Sequence, residues 1–580
     1  MYQFGENKTL EHKWSQNSEE ILAQLYFQMV RSSNPEILEI QYRSLLKKKD
    51  KKLMNYLYKL IAQTRDIIKG KGEYSLSFML LGEWLLLGDE YIPDIYNALD
   101  LFVDIENEHP YGSWKDLKYF CHYMCKEKSY VTQDHEIIDY CCEKIANQLF
   151  IDKDNNNNPT LCAKWAPREK SKFGWMTPII SKKLVEKLGI DNLKKSKCIK
   201  TYRQTCSKIN KILDTTQIKQ CGQAWATIDF NNVTSITMRK QSNAFLYFPE
   251  NSINDDINTD RKTCSNNYKK YIENKVKNNK NIKGSRVSIY DFVKDALNIN
   301  DLYNQEDINS LKQVLNLQWN DNRKQNNNLG NFAVMVDVSS SMEIDNCIPL
   351  YNAIGLGIRI SELSKKFKNE ILTFSSNPSI VKLDECDNFV DKVHKVRQIE
   401  WGGSTNLEAA LELILEKLVI EDTTPEEVED MVLCVLSDMQ IDEAIDVDTS
   451  TMFDLVKTKY ENKGYQLPTI IFWNLRQTDG FPSTTKEENV IMVSGYNSVL
   501  LNEFSEKGIE AFNNITPFKM VKDILDNPRY DLMYLNQIEE LNEKNEIVKS
   551  NNNYIFHILL GLVSAVLLKY FLILVVILTA

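Results

Sequence analysis

Histidine is scarce in this sequence, and cysteine follows no repeated spacing. The chain has 580 residues, of which six are histidine and 12 are cysteine. The closest cysteine groups are Cys121 with Cys125, an i, i+4 pair on an expected helix, and the adjacent Cys141 and Cys142. Two thiols on one helical face could share a metal ion, but no second Cys or His pair stands at zinc-finger spacing. Buried free thiols are therefore the expected state.

The first 14 residues lack the apolar core of a secretory signal. Reduced cysteines and a cytosolic setting are therefore expected. A basic excess is also missing, because 70 Lys and Arg stand against 80 Asp and Glu, for a net charge of −10. This balance argues against nucleic-acid binding by the chain as a whole, although it leaves room for a local basic groove.

One long apolar run stands out at residues 554–580, which are interrupted chiefly by Lys569. As a helix, this segment would span about 40 Å, enough to cross a hydrocarbon core of about 30 Å with tilt. We therefore expect a single transmembrane helix that anchors the protein by its tail and leaves the bulk of the chain cytosolic. A polar linker at 536–553 would precede it. The alternative is a buried helix of the globular part.

Apolar residues recur at helical spacing through residues 1–321. They stand three and four positions apart in Glu19–Val30 and Leu53–Ile68, whereas Ser75–Leu87 is strongly apolar throughout. Helix follows helix with few strand signals, which predicts an α-helical array of the HEAT kind. No fixed-period repeat is visible, so this prediction depends on the succession of helices alone. Residues 322–330 are polar and Asn-rich, as expected of a linker.

Strand and helix alternate in residues 331–535. Phe332–Val336, Met431–Leu436 and Val490–Val493 are short apolar runs, and helical segments such as Ile348–Leu363 lie between such runs. Continuous apolar strands separated by helices predict an α/β domain with a doubly wound parallel sheet. Sheets of this kind bind ligands in the crevice at the carboxyl ends of their strands.

Polar side chains cluster at that edge of the predicted sheet. The expected metal ligands are Asp337, Ser339, Ser341, Thr405 and Asp438. Their carboxylate and hydroxyl oxygens suit Mg²⁺, with Mn²⁺ or Ca²⁺ as alternatives. Two carboxylates leave coordination positions open to water, so an acidic group of a partner could complete the shell. In a purely structural alternative, Ser339 caps a helix and Asp438 forms a salt bridge.

The order of these pieces resembles the metal-ion-dependent adhesion site of von Willebrand factor A domains. The pieces are Asp-x-Ser-x-Ser, a distal Thr after Gly-Gly-Ser, and a strand that ends Leu-Ser-Asp. Each motif alone is weak evidence for such a site, but the three motifs in this order, at one predicted edge of the sheet, are specific evidence for it. The resemblance implies a von Willebrand factor A-like fold for residues 331–535.

Further motifs resemble an uncharacterised family shared by plants and giant DNA viruses. They are Trp401–Asn406, Ser437–Gln440, Ile471–Arg476, Val493–Tyr496, Thr64–Asp66, Gly70–Glu73, Tyr111–Leu117 and Ala163–Pro167. A helical array followed by an A domain is similar to the TROVE module of Ro ribonucleoproteins, whose helical ring binds RNA. Plant members generally lack a terminal membrane helix, and a giant DNA virus source fits both the composition and the resemblance.

Two residue pairs in the helical half carry a second binding hypothesis. Arg65 with Asp66, and Lys164 with Trp165, are either RNA contacts or structural residues. An ion pair or a buried link is favoured for the first pair, and a place in the core is favoured for the Trp165 ring over base stacking. Gly70–Gly72 lacks the remaining spacing of a phosphate-binding loop.

Three functions are consistent with these patterns. The first is a membrane-anchored binding or scaffold protein that docks an acidic group of a protein partner through Mg²⁺. The second is an RNA-binding protein of the TROVE kind. The third is a metal-dependent hydrolase, which is disfavoured because no nucleophile and base pair is evident and none of the six histidines adjoins the metal motifs. We therefore expect no enzymatic activity.

Overall fold

The structure is a computed structural model. It describes residues 2–4, 10–31, 35–103, 111–155, 158–190, 192–247, 259–299, 305–374, 378–399, 407–440, 452–506 and 515–535. The predicted linker at 536–553 and the predicted membrane helix at 554–580 lie outside these ranges. Within them, no helix is both long and apolar enough to cross a membrane.

The first half of the chain is a succession of helices after a short antiparallel strand pair. The strands are β1 (Tyr2–Phe4) and β2 (Leu10–His12). The helices are α1 (Ser18–Gln28), α2 (Glu36–Leu46), α3 (Lys51–Arg65), α4 (Tyr74–Leu87), α5 (Ile92–Val103), α6 (Lys115–His122), α7 (Glu136–Asp154), α8 (Cys162–Trp165), α9 (Thr177–Lys187), α10 (Lys195–Ile212), α11 (Thr216–Cys221), α12 (Ser235–Leu246), α13 (Thr259–Lys277), α14 (Ile289–Asn298) and α15 (Gln305–Arg323). The predicted helical array is confirmed at this level.

Local signals explain where several of these helices lie. Asn17 caps α1 by accepting from the backbone N–H groups of Glu19 and Glu20, and Asp50 caps α3 in the same way. Helix α4 is buried from Leu76 to Leu85, as its apolar sequence predicts.

The second half of the described chain is a mixed α/β domain. Its strands are β3 (Asn331–Asp337), β4 (Glu370–Phe374), β5 (Ser379–Lys382), β6 (Met431–Ser437), β7 (Thr469–Asn474) and β8 (Val490–Ser494). Its helices are α16 (Ile344–Leu363), α17 (Phe389–Arg397), α18 (Leu407–Ile420), α19 (Pro425–Glu429), α20 (Met452–Asn462), α21 (Asn502–Glu506) and α22 (Pro517–Leu525).

The six strands form one sheet in the order β5-β4-β3-β6-β7-β8. All neighbours are parallel except β4 and β5, which pair antiparallel with Thr373 opposite Ser379. The prediction of a parallel sheet is therefore wrong for β5, which returns directly alongside β4 with no crossover helix. The strand order reverses between β3 and β6, so the topological switch point lies there.

Alternate residues of the strands bury opposite faces of this sheet. Val334 and Val336 of β3 join the core that includes α16, whereas Ala333 and Met335 join the core that includes α18. This alternation follows from the two-residue side-chain period of a strand. Both faces are covered, which explains why the strands are continuously apolar.

A buried lysine links the helical half to the sheet. The Nζ of Lys71, in the loop between α3 and α4, donates to the carbonyl oxygens of Tyr26, Met29 and Ser494 and to the Ser494 hydroxyl. Burial lowers the pKa of Lys71 well below its usual value, and nearby Glu73 opposes this shift. Because Ser494 ends β8, one ammonium group joins α1 to the edge of the sheet.

An ion pair forms a second link between the two halves. The guanidinium of Arg529 donates to both carboxylate oxygens of Asp66, at the end of α3, through Nε at 2.5 Å and Nη2 at 2.9 Å. The Tyr111 hydroxyl donates to the backbone carbonyl of Arg529 at 2.6 Å. Contacts of this kind cross the predicted boundary between residues 1–321 and 331–535.

Residues of the predicted linker at 322–330 lie along the α/β domain. The Asn326 side chain donates to the carbonyl of Ser498 at 2.7 Å, and Leu329 donates its backbone N–H to Leu363 at 3.0 Å. Leu329 is also buried. The segment therefore contacts the α/β domain. The predicted division of the chain into domains stays a prediction.

Candidate functional site

The switch point of the sheet brings two of the predicted ligands together. Asp337 is the last residue of β3, and Asp438 directly follows β6. The register pairs Val336 with Leu436, so Asp337 stands opposite Ser437, one residue before Asp438, at the carboxyl ends of neighbouring strands. Both are fully buried.

Hydrogen bonds fix the carboxylate of Asp337. The Ser437 hydroxyl donates to its Oδ2 at 2.6 Å, and the backbone N–H of Ser339 donates to its Oδ1 at 2.9 Å. Burial, together with the charge of Asp438, raises the pKa of Asp337 to about 7, and the hydrogen bonds from Ser437 and Ser339 act in the opposite direction. Burial and the neighbouring carboxylate both disfavour the charged form of this group.

The serines of the motif face each other beside this pair. The Oγ atoms of Ser339 and Ser341 lie 2.9 Å apart, and Ser339 is buried. The chain between them enters a short 3₁₀ helix at Ser340–Glu343, which turns both hydroxyls to one side of the loop.

Asp438 has a cationic neighbour that sequence reasoning missed. Its Oδ2 accepts from Nη1 of Arg476 at 3.0 Å, and its Oδ1 accepts from the backbone N–H of Gln440 at 3.1 Å. The salt bridge expected for Asp438 in the structural alternative is therefore present. A signal was available, because Arg476 follows the end of β7 much as Asp438 follows β6, and parallel strand ends share one edge.

Thr405, the fifth predicted ligand, lies outside the described residues. The described chain resumes at Leu407, where α18 begins.

The donor set fits an oxygen-preferring divalent cation. Two carboxylates and two hydroxyls converge on the switch point, and the carboxylates carry more negative charge than Arg476 balances. No group of three or more His, Cys, Asp or Glu side chains suited to a metal occurs in the ranges that the structure describes. Any cation at this site would therefore depend on the hydroxyl oxygens as well as on the carboxylates.

The cysteines noted in the sequence lie in the helical core. Cys121, Cys141 and Cys142 are buried, and Cys125 is partly buried in a π-helical turn at Tyr123–Glu127. Burial raises the pKa of the Cys125 thiol to about 11. A thiol with a raised pKa is a poor nucleophile and a poor metal ligand at neutral pH.

Arg65 and Asp66 are both buried and engaged inside the molecule. Arg65 donates to Asp116 Oδ2 through Nη2 at 2.6 Å and Nε at 3.0 Å, and both side chains are 1% exposed. Asp66 receives the ion pair from Arg529. These contacts give both residues structural roles.

Lys164 and Trp165 belong to a cluster of lysines and aromatic rings. We call it the Lys118 cluster, and it comprises Lys118, Tyr119, Lys164, Trp165, Lys172 and Phe173. Lys118 Nζ donates to the Trp165 carbonyl at 2.6 Å and lies 5.0 Å from the centre of the Phe173 ring. Burial, with repulsion from Arg168 and Lys115, lowers the pKa of Lys118 to about 8.

Comparisons with known proteins place this architecture among uncharacterised sequences. Residues 331–546 match the family described as Domain of unknown function (DUF7788). The chain is also 26% identical over 519 residues to an uncharacterised protein of Acanthamoeba polyphaga mimivirus, with 86% of this chain and 84% of the relative covered. These matches support an uncharacterised family with giant-virus relatives. The alignment with the mimivirus protein spans most of the chain, so the similarity extends to the helical half.

Proposed function

We propose that this protein is a membrane-anchored scaffold that docks an acidic group of a partner protein through a divalent cation, Mg²⁺ or alternatively Mn²⁺ or Ca²⁺. The observation that carries the proposal is the meeting of two buried carboxylates and two serine hydroxyls at the topological switch point of the sheet. The donor order resembles the adhesion site of von Willebrand factor A domains, which supports a fold of that kind for the α/β domain.

The residues of the site have separate roles in this proposal. Asp337 and Asp438 would hold the cation, and Ser339 and Ser341 would add neutral oxygens, with Thr405 as a further hydroxyl from the loop before α18. The bonds from Ser437 and from the Ser339 backbone orient the Asp337 carboxylate before any ligand arrives. A bound divalent cation supplies the missing positive charge and a coordination position for the partner's acidic group.

The membrane part of the proposal depends on sequence. The apolar run at 554–580 supports a tail anchor, and the polar stretch at 536–553 supports a tether between that anchor and the folded part. In this arrangement the bulk of the chain is cytosolic.

The test uses the full chain in detergent or nanodiscs and compares wild type with Asp337→Asn. Mg²⁺, Mn²⁺ and Ca²⁺ are titrated by calorimetry and by thermal unfolding. At a cation concentration 100 times Kd, we expect the free energy of unfolding of the wild type to rise by about 2.7 kcal/mol. The free energy of unfolding of Asp337→Asn should not change when the cation is added. Glu429→Ala changes an exposed carboxylate at the end of α19, two residues before β6 begins and so at the opposite edge of the sheet. It is the matched control and should behave as wild type.

Crosslinking and pull-down from the native membrane then test docking. The partner should be recovered with wild type in Mg²⁺ and lost both in EDTA and with Asp337→Asn. Recovery that is equal in all three conditions would overturn docking through the cation, even if the protein binds the metal.

A second candidate function, RNA binding by a TROVE-like helical array, is favoured by the Lys118 cluster. Lysines interleaved with aromatic rings are the composition that single-stranded nucleic acids need, because bases stack on the rings and phosphates pair with the cations. Trp165 is partly exposed, and Lys172 is exposed. The net charge of the chain does not oppose a local cluster of this size.

Fluorescence anisotropy with labelled oligouridylate at low salt tests this candidate. Trp165→Ala and Lys118→Ala should each weaken binding by about tenfold, whereas Lys52→Ala, at an exposed position in the first turn of α3, should not. Affinity should also fall between pH 7 and pH 9, because Lys118, with its pKa of about 8, loses the charge that attracts phosphate. Absence of binding by the wild type at low salt would exclude the candidate.

A further inference from the structure

Arg476 lies in the candidate site, but the proposed ligand set gives it no role. Its side chain is 20% exposed, whereas the Asp438 side chain that it contacts is 0% exposed. The guanidinium therefore stands between the buried carboxylate and solvent. The backbone of this turn is held in place, because the N–H of Leu475 donates to the Ser437 carbonyl at 2.9 Å and the N–H of Arg476 donates to Asn474 Oδ1 at 3.0 Å.

The charges of the site indicate how Arg476 would affect the binding of a cation and of an anion. With both carboxylates ionised, the charged groups described at the site, Asp337, Asp438 and Arg476, sum to one net negative charge, which attracts a cation only moderately. A bound divalent cation converts this into one net positive charge. The same site without the arginine would be neutral when loaded. The arginine therefore opposes entry of the cation and afterwards favours entry of an anion.

We propose that Arg476 is the specificity-determining residue of the site, which couples cation binding to capture of a carboxylate from the partner. The inference rests on the proposed function. Before loading, Arg476 pairs with Asp438 and competes with the cation for that carboxylate. After loading, the guanidinium offers its planar pair of N–H donors to the incoming carboxylate, a geometry that a lysine cannot reproduce.

This role predicts opposite changes in two affinities. Loss of the guanidinium removes a competitor of the cation, so the cation binds more tightly. The same loss removes a donor and a charge from the loaded site, so the carboxylate binds more weakly. A merely structural residue would weaken both affinities together or change neither of them.

The experiment uses the full chain with Arg476→Met, Arg476→Lys and, as a control, Arg203→Met, an arginine of α10 whose side chain is 61% exposed. Mg²⁺ is titrated by calorimetry without added anion. N-acetylaspartate amide is then titrated into each protein at saturating Mg²⁺. Circular dichroism and the unfolding temperature of each metal-free variant report whether it has folded.

For Arg476→Met we expect the Mg²⁺ affinity to rise about tenfold and the carboxylate affinity to fall about tenfold. Arg476→Lys keeps the charge, so its Mg²⁺ affinity should stay near that of wild type while its carboxylate affinity falls. If Arg476→Met does not fold, Arg476→Lys alone tests the proposed role of Arg476. Arg203→Met should change neither affinity.

The failures of the two proposals are distinguishable. If the wild type binds no Mg²⁺, both the docking site and the role of Arg476 are wrong. If the wild type binds Mg²⁺ and the carboxylate probe but the Arg476 variants bind both as wild type does, only the role of Arg476 is overturned. Changes in the same direction for both affinities also overturn it.

Discussion

Single residues in this protein show how a charged side chain can be structural rather than functional. Arg65 and Asp116 are both buried and pair at 2.6 Å, inside a segment whose sequence also allowed an RNA contact. Taking two charges out of water is costly, and only their mutual attraction and hydrogen bonds offset that cost. Removal of one partner therefore leaves the other as an uncompensated buried charge.

We expect Arg65→Met to lower the free energy of unfolding by about 3–5 kcal/mol, because it strands the Asp116 carboxylate. The double variant Arg65→Met with Asp116→Leu should recover most of that loss, since no buried charge remains. Chemical denaturation of the full chain measures both effects. Weaker RNA binding by a stable, fully folded Arg65→Met protein would contradict the structural role.

The site residues were predictable to different degrees for a physical reason. Asp337 and Asp438 each stand at the end of an apolar strand, and parallel strands end at one edge of a sheet. The sequence alone therefore predicts that the two aspartates lie close together. Arg476 obeys the same rule, but its long side chain reaches a neighbour only through tertiary placement of the turn that carries it. The burial that raises the pKa of Asp337 is likewise a property of packing and has no sequence pattern.

At the scale of elements, a close helix crossing joins the two halves. Helix α14 of the array crosses α16 of the sheet domain at Gly355, where a Cβ atom would stand 2.4 Å from Ile289 Cγ2 and 2.9 Å from Val293 Cγ2. Real Cβ atoms do not approach so closely, so glycine sets the distance between these helices.

Gly355→Leu should therefore force α14 and α16 apart and destabilise the protein by roughly 1–3 kcal/mol or more. Adding Ile289→Ala opens space at the same point, so the double variant should be less unstable than the sum of the two single changes. Urea denaturation gives the three values. Simple additivity would show that the two residues do not meet.

Elements with long or continuous apolar runs were the easiest to predict from sequence. The apolar strands β3, β6 and β8 and the regular part of α16 lie within a few residues of their expected positions. The first residues of α16 are irregular, because Asp345, Asn346 and Cys347 have φ values of 49°, 60° and 61°. Strand β5 was not predicted, because it has only four residues at a sheet edge, of which only Val381 is buried, and so short a run has no period that distinguishes it from a loop.

At the scale of the whole molecule, the helical half and the sheet domain share one large core. Buried residues from α1 to α22 and from one face of the sheet form a continuous cluster. Lys71 and the Asp66–Arg529 pair add polar contacts across the same boundary. The sequence predicted a domain boundary at residues 322–330, because composition contains no information on contacts between distant segments.

The described part of the chain should consequently unfold as one cooperative unit in calorimetry. Lys71→Met removes the Nζ donor from the Ser494 carbonyl, whereas the Tyr26 and Met29 carbonyls still accept from the Ser494 hydroxyl. The change should therefore lower the free energy of unfolding by about 1–3 kcal/mol. Lys69→Met, at an exposed position two residues away, should have little effect. Two well-separated transitions in the wild type would contradict a shared core.

The position of α1 has a consequence for synthesis of the protein. Gln28, at the end of this helix, bonds to Thr478, 450 residues further along the chain, and Phe27 packs against Phe481. At about 5–20 residues per second, a ribosome needs roughly 20–90 s to deliver that surface. During this interval α1 is complete while its docking site does not yet exist. The buried face of the first helix must therefore be shielded by α2 and α3, or by a chaperone, until the last strands of the sheet emerge.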